Sequence, residues 1–179
     1  ECRQMRQLMV VVVGVMLGLA QPQAQQVKPQ GPEGSQLGFY LGKWTEEGQS
    51  RQTPSAAFGK LTGEETWAWF SGGSSVVCRE TTQDKAGETD SIYILSYDAG
   101  KKVYTMYGTD NYGVIYALTG TYEKDVWRWT GDTRKDGVST PTRYTFRAAG
   151  SGSHTMDVET STRGAWSRST SLTYKRASR

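Results

Sequence analysis

Histidine occurs once and cysteine twice in 179 residues, and that scarcity removes whole classes of chemistry. One histidine cannot build a multi-histidine metal centre, and two cysteines cannot build a four-cysteine zinc site. A Ser-His-Asp hydrolase would have to use His154, and Ser71-Gly72-Gly73-Ser74 lacks the strand-turn-helix setting of a nucleophile elbow. Leucine is sparse, which disfavours a helical bundle. No long basic run and no nucleic-acid motif accompanies the net charge of +3, so no nucleic-acid partner is expected. The one long apolar run, Leu8 to Leu19, is about a dozen residues, short of the roughly 20 that span a bilayer.

That run follows Arg3 and Arg6, and small residues follow it at Gly18-Leu19-Ala20 and Pro22-Gln23-Ala24. Residues 1–24 therefore read as an export signal, with cleavage after Ala20 or Ala24 and a periplasmic or secreted product carrying no stable membrane span. Cys2 leaves with the signal, so Cys78 has no internal disulfide partner and reads as a small buried hydrophobe. Residues 25–35, rich in Gln, Pro and Gly, read as a flexible leader, and residues 36–176 as one domain.

Glycine, threonine, serine, tyrosine and valine are plentiful, and 11% of the chain is aromatic. Short alternating segments recur between turn residues: Lys43–Ser50, Lys60–Ser71, Ser75–Asp84, Thr89–Asp98, Lys101–Thr109, Gly113–Tyr122, Val126–Thr133, Thr140–Ala148, His154–Thr160 and Ala165–Lys175. Nothing between them could hold a crossover helix, so the pattern predicts an all-β, antiparallel up-and-down barrel of about ten strands, with a short N-terminal helix or turn closing one end. Val126-Trp127-Arg128-Trp129-Thr130 and Arg143-Tyr144-Thr145-Phe146-Arg147 alternate cleanly. Ser91–Tyr97 and Val114–Leu118 are apolar on both faces, which predicts an outer surface partly covered by a loop, helix or neighbour.

The first strand opens with Leu41-Gly42-Lys43-Trp44 and the last ends with Tyr174-Lys175-Arg176. Gly-x-Trp at that place resembles the calycin and lipocalin signature, in which the Trp plugs the barrel and a basic residue from the last strand lies across it. The resemblance makes Gly42, Trp44 and Arg176 the barrel-closing residues. Over most of the domain the order of features is similar to that of the bacterial domain of unknown function 1579. The shared features are Glu46-Glu47-Gly48, Thr62-Gly63-Glu64-Glu65, Gly72-Gly73 before Val76-Val77-Cys78-Arg79, Ser96-Tyr97-Asp98, Gly120-Thr121-Tyr122, Arg143-Tyr144 and a late Trp166. This resemblance implies a small exported barrel and carries no established activity. A more distant likeness is to nitrobindin, which holds haem through a His near its final strand. Here Trp166–Lys175 has no His, and His154 reads as a rim or surface residue, so no haem or other cofactor is expected.

Among candidate chemistry, Glu46, Glu47, Glu64 and Glu65 read as solvent-facing charges. Asp84, Glu88 and Asp90, and likewise Asp110, Asp132 and Asp136, read as solvated turns and not as a metal loop. The aromatics Trp67, Trp69, Tyr93, Tyr104, Tyr107, Tyr116, Trp127, Trp129 and Tyr144 either fill the core or line a cavity for a small hydrophobic or aromatic molecule, with Arg79 as an inward polar anchor. No catalytic residue is assigned. Two other functions stay open. One is a metal-free lyase or isomerase, which a buried carboxyl or phenol of shifted pKa would favour. The other is an envelope interaction module, which a filled barrel would favour.

Overall fold

A computed structural model describes residues 31–70 and 72–177. The expected export signal, Cys2 and most of the expected leader lie outside the described residues. The chain runs through a short helix α1 (Gly31–Gln36), a 3-10 turn (Leu37–Phe39) and ten strands: β1 (Gly42–Ser50), β2 (Gly59–Trp69), β3 (Ser75–Asp84), β4 (Gly87–Asp98), β5 (Val103–Asp110), β6 (Ile115–Glu123), β7 (Val126–Lys135), β8 (Val138–Ala148), β9 (Ser153–Thr162) and β10 (Ala165–Arg176). Each strand pairs antiparallel with its sequence neighbours, and β1 pairs with β10, so the sheet closes into a barrel as the alternation predicts. Closure leaves no edge strand, and every residue of one parity points inward.

Most strands run a residue or two further than the sequence suggests, because the hairpins turn tightly. Lys124-Asp125, Asp136-Gly137 and Arg163-Gly164 each place two successive residues at positive φ, the twist of a two-residue hairpin turn. The ladder then continues to the last residue before the turn, as in the pairing of Lys135 with Val138. At β5 the opposite holds: Lys102 adopts φ 55°, so Lys101 and Lys102 belong to the turn.

The register sets the interior. Gly42, Trp44, Glu46 and Gly48 of β1 face in, opposite Trp67, Glu65, Gly63 and Leu61 of β2. Inward glycines make room for their neighbours' side chains: a Cβ on Gly120 would overlap the Trp129 ring, one on Gly108 the Tyr93 ring, and one on Gly63 the Glu46 carboxyl. Among the described residues the outer apolar side chains of β4 to β6 stay open, with Ile94 45%, Tyr107 59% and Ile115 54% exposed. The short helix expected near the N-terminus is α1: it carries Pro32 in its first turn, and Tyr104 Oη donates to the Glu33 carbonyl at 2.9 Å, tying the helix to the barrel.

The residues after α1 plug one end. Leu37 and Tyr40 are fully buried. Tyr40 lies among Trp67, Trp127 and Phe146 at centroid separations of 5.0–5.4 Å. Its hydroxyl accepts from Trp129 Nε1 at 2.9 Å, and its carbonyl accepts from Trp44 Nε1 at 2.7 Å. The Arg176 guanidinium stacks 4.3 Å over Trp44 and donates to the Leu41 carbonyl at 3.0 Å. A Cβ on Gly42, whose φ is +115°, would overlap that guanidinium. Trp127 and Trp129 stack 5.5 Å apart, nearly parallel, inside the plug.

Candidate functional site

Above the plug the barrel is hollow. The cavity is about 290 Å³, opens at the end opposite α1, and is walled by aliphatic, phenolic and carboxyl side chains. Leu61, Met106, Phe146, Met156, Val158 and Leu172 form its apolar wall. Tyr93, Tyr116, Tyr144 and Tyr174 bring phenols into it, and Glu65 and Glu80 bring carboxyls. Threonines surround the open half: Thr82 and Thr89 from β3 and β4, Thr133 and Thr142 from β7 and β8, and Thr160 and Thr170 from β9 and β10.

The carboxyls are the least expected part. Glu46, Glu65 and Glu80 share inward parity on adjacent strands, with Glu65 directly opposite Glu80. Glu46 and Glu65 are almost wholly buried, 3% and 5% exposed. This corrects the solvent-facing reading for these two; Glu47 and Glu64 do face solvent. The cause is parity: Glu46 lies two residues from Trp44, and Glu65 two from Trp67, and both Trp rings must be inside. Burial pushes Glu46 up from the ordinary 4.5 to about 8, with the neighbouring charge of Glu80 adding to it. Burial likewise raises Glu80 to about 7, against the hydrogen bond it accepts from Tyr93 Oη at 3.2 Å. Glu65 is held well above the usual carboxylate range by burial and then by the charge of Glu80. Neither Glu46 oxygen nor Glu65 Oε1 has a hydrogen-bond partner. Glu65 Oε2 accepts only a weak bond from the Cys78 thiol, at 3.9 Å. Cys78 is a fully buried free thiol whose ionisation burial and these carboxyls strongly oppose.

Burial also drives the phenols Tyr93, Tyr116, Tyr144 and Tyr174 upward. Tyr116 Oη donates to Asp110 Oδ2 at 3.0 Å, and Asp110 Oδ1 accepts from the backbone N–H groups of Tyr112 and Val114 at 2.9 Å each. Asp110 is therefore partly buried, and it links the β5–β6 turn to the cavity wall, where a solvated turn was expected.

The sequence-derived candidates divide. Trp67, Tyr93, Tyr116 and Tyr144 line the cavity. Trp127 and Trp129 are fully buried in the plug beneath it, and Trp69 is half-buried against the core. Tyr107 is exposed on the outer face, because β5 carries apolar residues on both parities. Arg79 is exposed outside the barrel, and the inward polar residue of β3 is its neighbour Glu80. His154 is 1% exposed, so the rim reading is corrected. It stacks on Tyr174 at 4.4 Å and meets the Trp44 ring at 4.5 Å. Burial, helped by the charge of Arg176, lowers its pKa to about 4, and neither ring nitrogen has a partner. Pairing fixes this placement, since Ala148 and Tyr174 flank His154 across the two ladders.

Fold and site together define a ten-stranded antiparallel barrel with one plugged end and one aromatic, carboxyl-bearing cavity. The chain matches no protein-family model and no curated protein. Among the described residues, no helix is long and apolar enough to cross a membrane, and no three His, Cys, Asp or Glu side chains converge as a metal-ligand group.

Proposed function

We propose that this protein binds a small hydrophobic or aromatic molecule inside the barrel. The observation that carries the reading is the hollow open half, about 290 Å³ with predominantly apolar and aromatic walls, close to the lower bound of roughly 300 Å³ for ligand pockets. Binding would be non-covalent. Desolvation of the rings and aliphatic wall would supply most of the affinity, and the phenols and carboxyls would fix orientation. The reading needs no cofactor: His154 is enclosed by Trp44, Phe39 and Tyr174 and does not line the cavity.

The basic start and short apolar run of residues 1–24 support export to the periplasm or beyond. The Leu-Gly-x-Trp opening and Tyr-x-Arg close support kinship with the domain of unknown function 1579 family and, more distantly, with nitrobindin. Native mass spectrometry of protein purified from the cell envelope, with an absorbance spectrum on the same sample, tests the binding reading. A bound small mass is the expected result. An empty protein that also fails to take up any apolar or aromatic probe would refute it.

A second reading is favoured by one specific observation. Glu80, raised to about 7, lies 3.2 Å from Tyr93 Oη, so a carboxyl able to take or give a proton near neutral pH is held in the cavity by a phenol that donates to it. A metal-free lyase or isomerase would use that pair. Turnover abolished by both Glu80→Gln and Tyr93→Phe would identify it.

A further inference from the structure

We propose that the ligand is a small organic amine, its ammonium seated against Glu65 and Glu80 and its apolar body against the aromatic wall. The proposal rests on the binding reading above and names the chemical class of the ligand. It starts from a charge imbalance. Two carboxyls line the cavity, a third lies behind them, and none of the lining residues is Lys, Arg or His. A carboxylate taken out of water is normally paired with a cation or held by several donors. Here the donors are neutral and no cation is among the lining residues: the Trp67 indole and the Cys78 thiol lie beside Glu65, and the Tyr93 and Ser91 hydroxyls beside Glu80. Glu65 is 5% exposed, and its Oε1 has no partner at hydrogen-bond distance. Glu80 accepts from Tyr93 at 3.2 Å, which leaves acceptor capacity on a carboxylate.

The missing partner is a donor of positive charge supplied from outside the chain. An ammonium fits its chemistry. It carries three N–H donors and one charge, enough to bridge carboxyls that stand opposite one another on neighbouring strands. Tyr93, Tyr116 and Tyr144 add ring faces that attract a cation in a desolvated setting. Among the described residues no three His, Cys, Asp or Glu side chains gather as a metal ion would require, whereas an ammonium can be held by two carboxyls.

The ionisation behaviour agrees with this geometry. Glu80 faces Glu46 from β1, Glu65 from β2, Cys78 on its own strand, Tyr93 and Ser91 from β4, Asp110 from β5, Tyr116 from β6, Tyr144 from β8 and Tyr174 from β10, and not one of these brings a positive charge. Burial raises both carboxyls, with the charge of Glu80 adding to it at Glu65 and that of Asp110 at Glu80, and an arriving ammonium opposes the shift at each. Amine uptake therefore expels protons, and affinity climbs with pH while the carboxyls titrate.

Three matched probes separate the possibilities: 2-phenylethylamine, neutral 2-phenylethanol and anionic phenylacetate. Titration calorimetry of the purified protein, in two buffers of different ionisation heat, reads affinity and proton release together. The amine should bind about tenfold or more tightly than the alcohol at pH 7.5, with net proton release. Its affinity should rise several-fold from about pH 6 to 8, where the alcohol's stays flat. Glu65→Gln and Glu80→Gln should each remove most of that preference, bringing the affinity for the amine down towards that for the alcohol. The wild-type pH series decides the matter even where a variant does not fold. Equal binding of amine and alcohol, or a preference for phenylacetate, overturns the amine while the ligand-binding reading stands. Binding by none of the three overturns the amine, and together with a protein that is empty as purified and takes up no apolar or aromatic probe it overturns the binding reading as well.

Discussion

Tyr40 shows how much one side chain can hold when every atom has a task. Its ring contacts Trp67, Trp127 and Phe146, its carbonyl accepts the Trp44 indole N–H, and its hydroxyl accepts that of Trp129. All of this is buried, so no water can substitute for a missing partner. Tyr40→Phe keeps the ring and deletes only the acceptor, leaving the Trp129 N–H unpaired. A loss of about 1–3 kcal/mol is expected, read as a lower denaturant midpoint at unchanged m-value. A Tyr40→Phe protein as stable as the parent would show that the hydroxyl contact contributes nothing. The Trp127 and Trp67 indole nitrogens already lack partners, so this end of the barrel has little reserve of hydrogen bonding.

At the scale of the strand, parity decides everything, and parity is where the sequence was partly opaque. In β7, Trp127 and Trp129 alternate with Arg128, and only one face can be inside. In β1 and β2, the pairs Glu46-Glu47 and Glu64-Glu65 put one carboxyl on each face. Counting two residues on from the anchoring Trp44, and two back from Trp67, would have identified the inner member of each pair. In β5, Tyr104 and Tyr107 have opposite parity and similar chemistry, so only pairing with β4 and β6 separates the buried ring from the exposed one. His154 adjoins a glycine-rich turn, and its burial follows from the register with β8 and β10. The same parity yields a test. Glu46 has its pKa raised from 4.5 to about 8, so the stability tied to its protonated form is fully present below pH 4.5 and is lost as pH rises through 8. Glu46→Gln cannot ionise. It should match the parent near pH 5 and exceed it near pH 9 by a few kcal/mol, on the order of 1.4 kcal/mol per pKa unit. Glu47→Gln, one residue away on the outer face, should follow the parent at both values. Parallel pH profiles for Glu46→Gln and the parent, from thermal melts, would remove the buried carboxyl from the account.

For the molecule as a whole, nine of the ten strand pairings join sequence neighbours through short connections, and one, β1 with β10, joins the two ends of the barrel. The nine can form as local hairpins, at the small entropic cost of short loops; the tenth has to close a loop containing the whole barrel. The plug depends on that tenth pairing as well. Trp44 and Arg176 are partners across it, Ala177 N–H donates to the Lys43 carbonyl beside them at 2.9 Å, and Arg176 reaches on to Leu41 at the foot of the plug. Native-state hydrogen exchange should therefore find the amides shared by β1 and β10 opening before those of β7 and β8, with the Trp44 environment loosening in the same event. Uniform protection around the barrel would refute this. The consequence reaches the cavity from its far side. A seam that locks the floor also governs when the chamber above it first exists, so a ligand can enter only a barrel whose two ends have already found each other. On the proposed binding reading, an occupant of the cavity would act as a late-arriving clasp, slowing the separation of β1, which lines none of the cavity, from β10, which does.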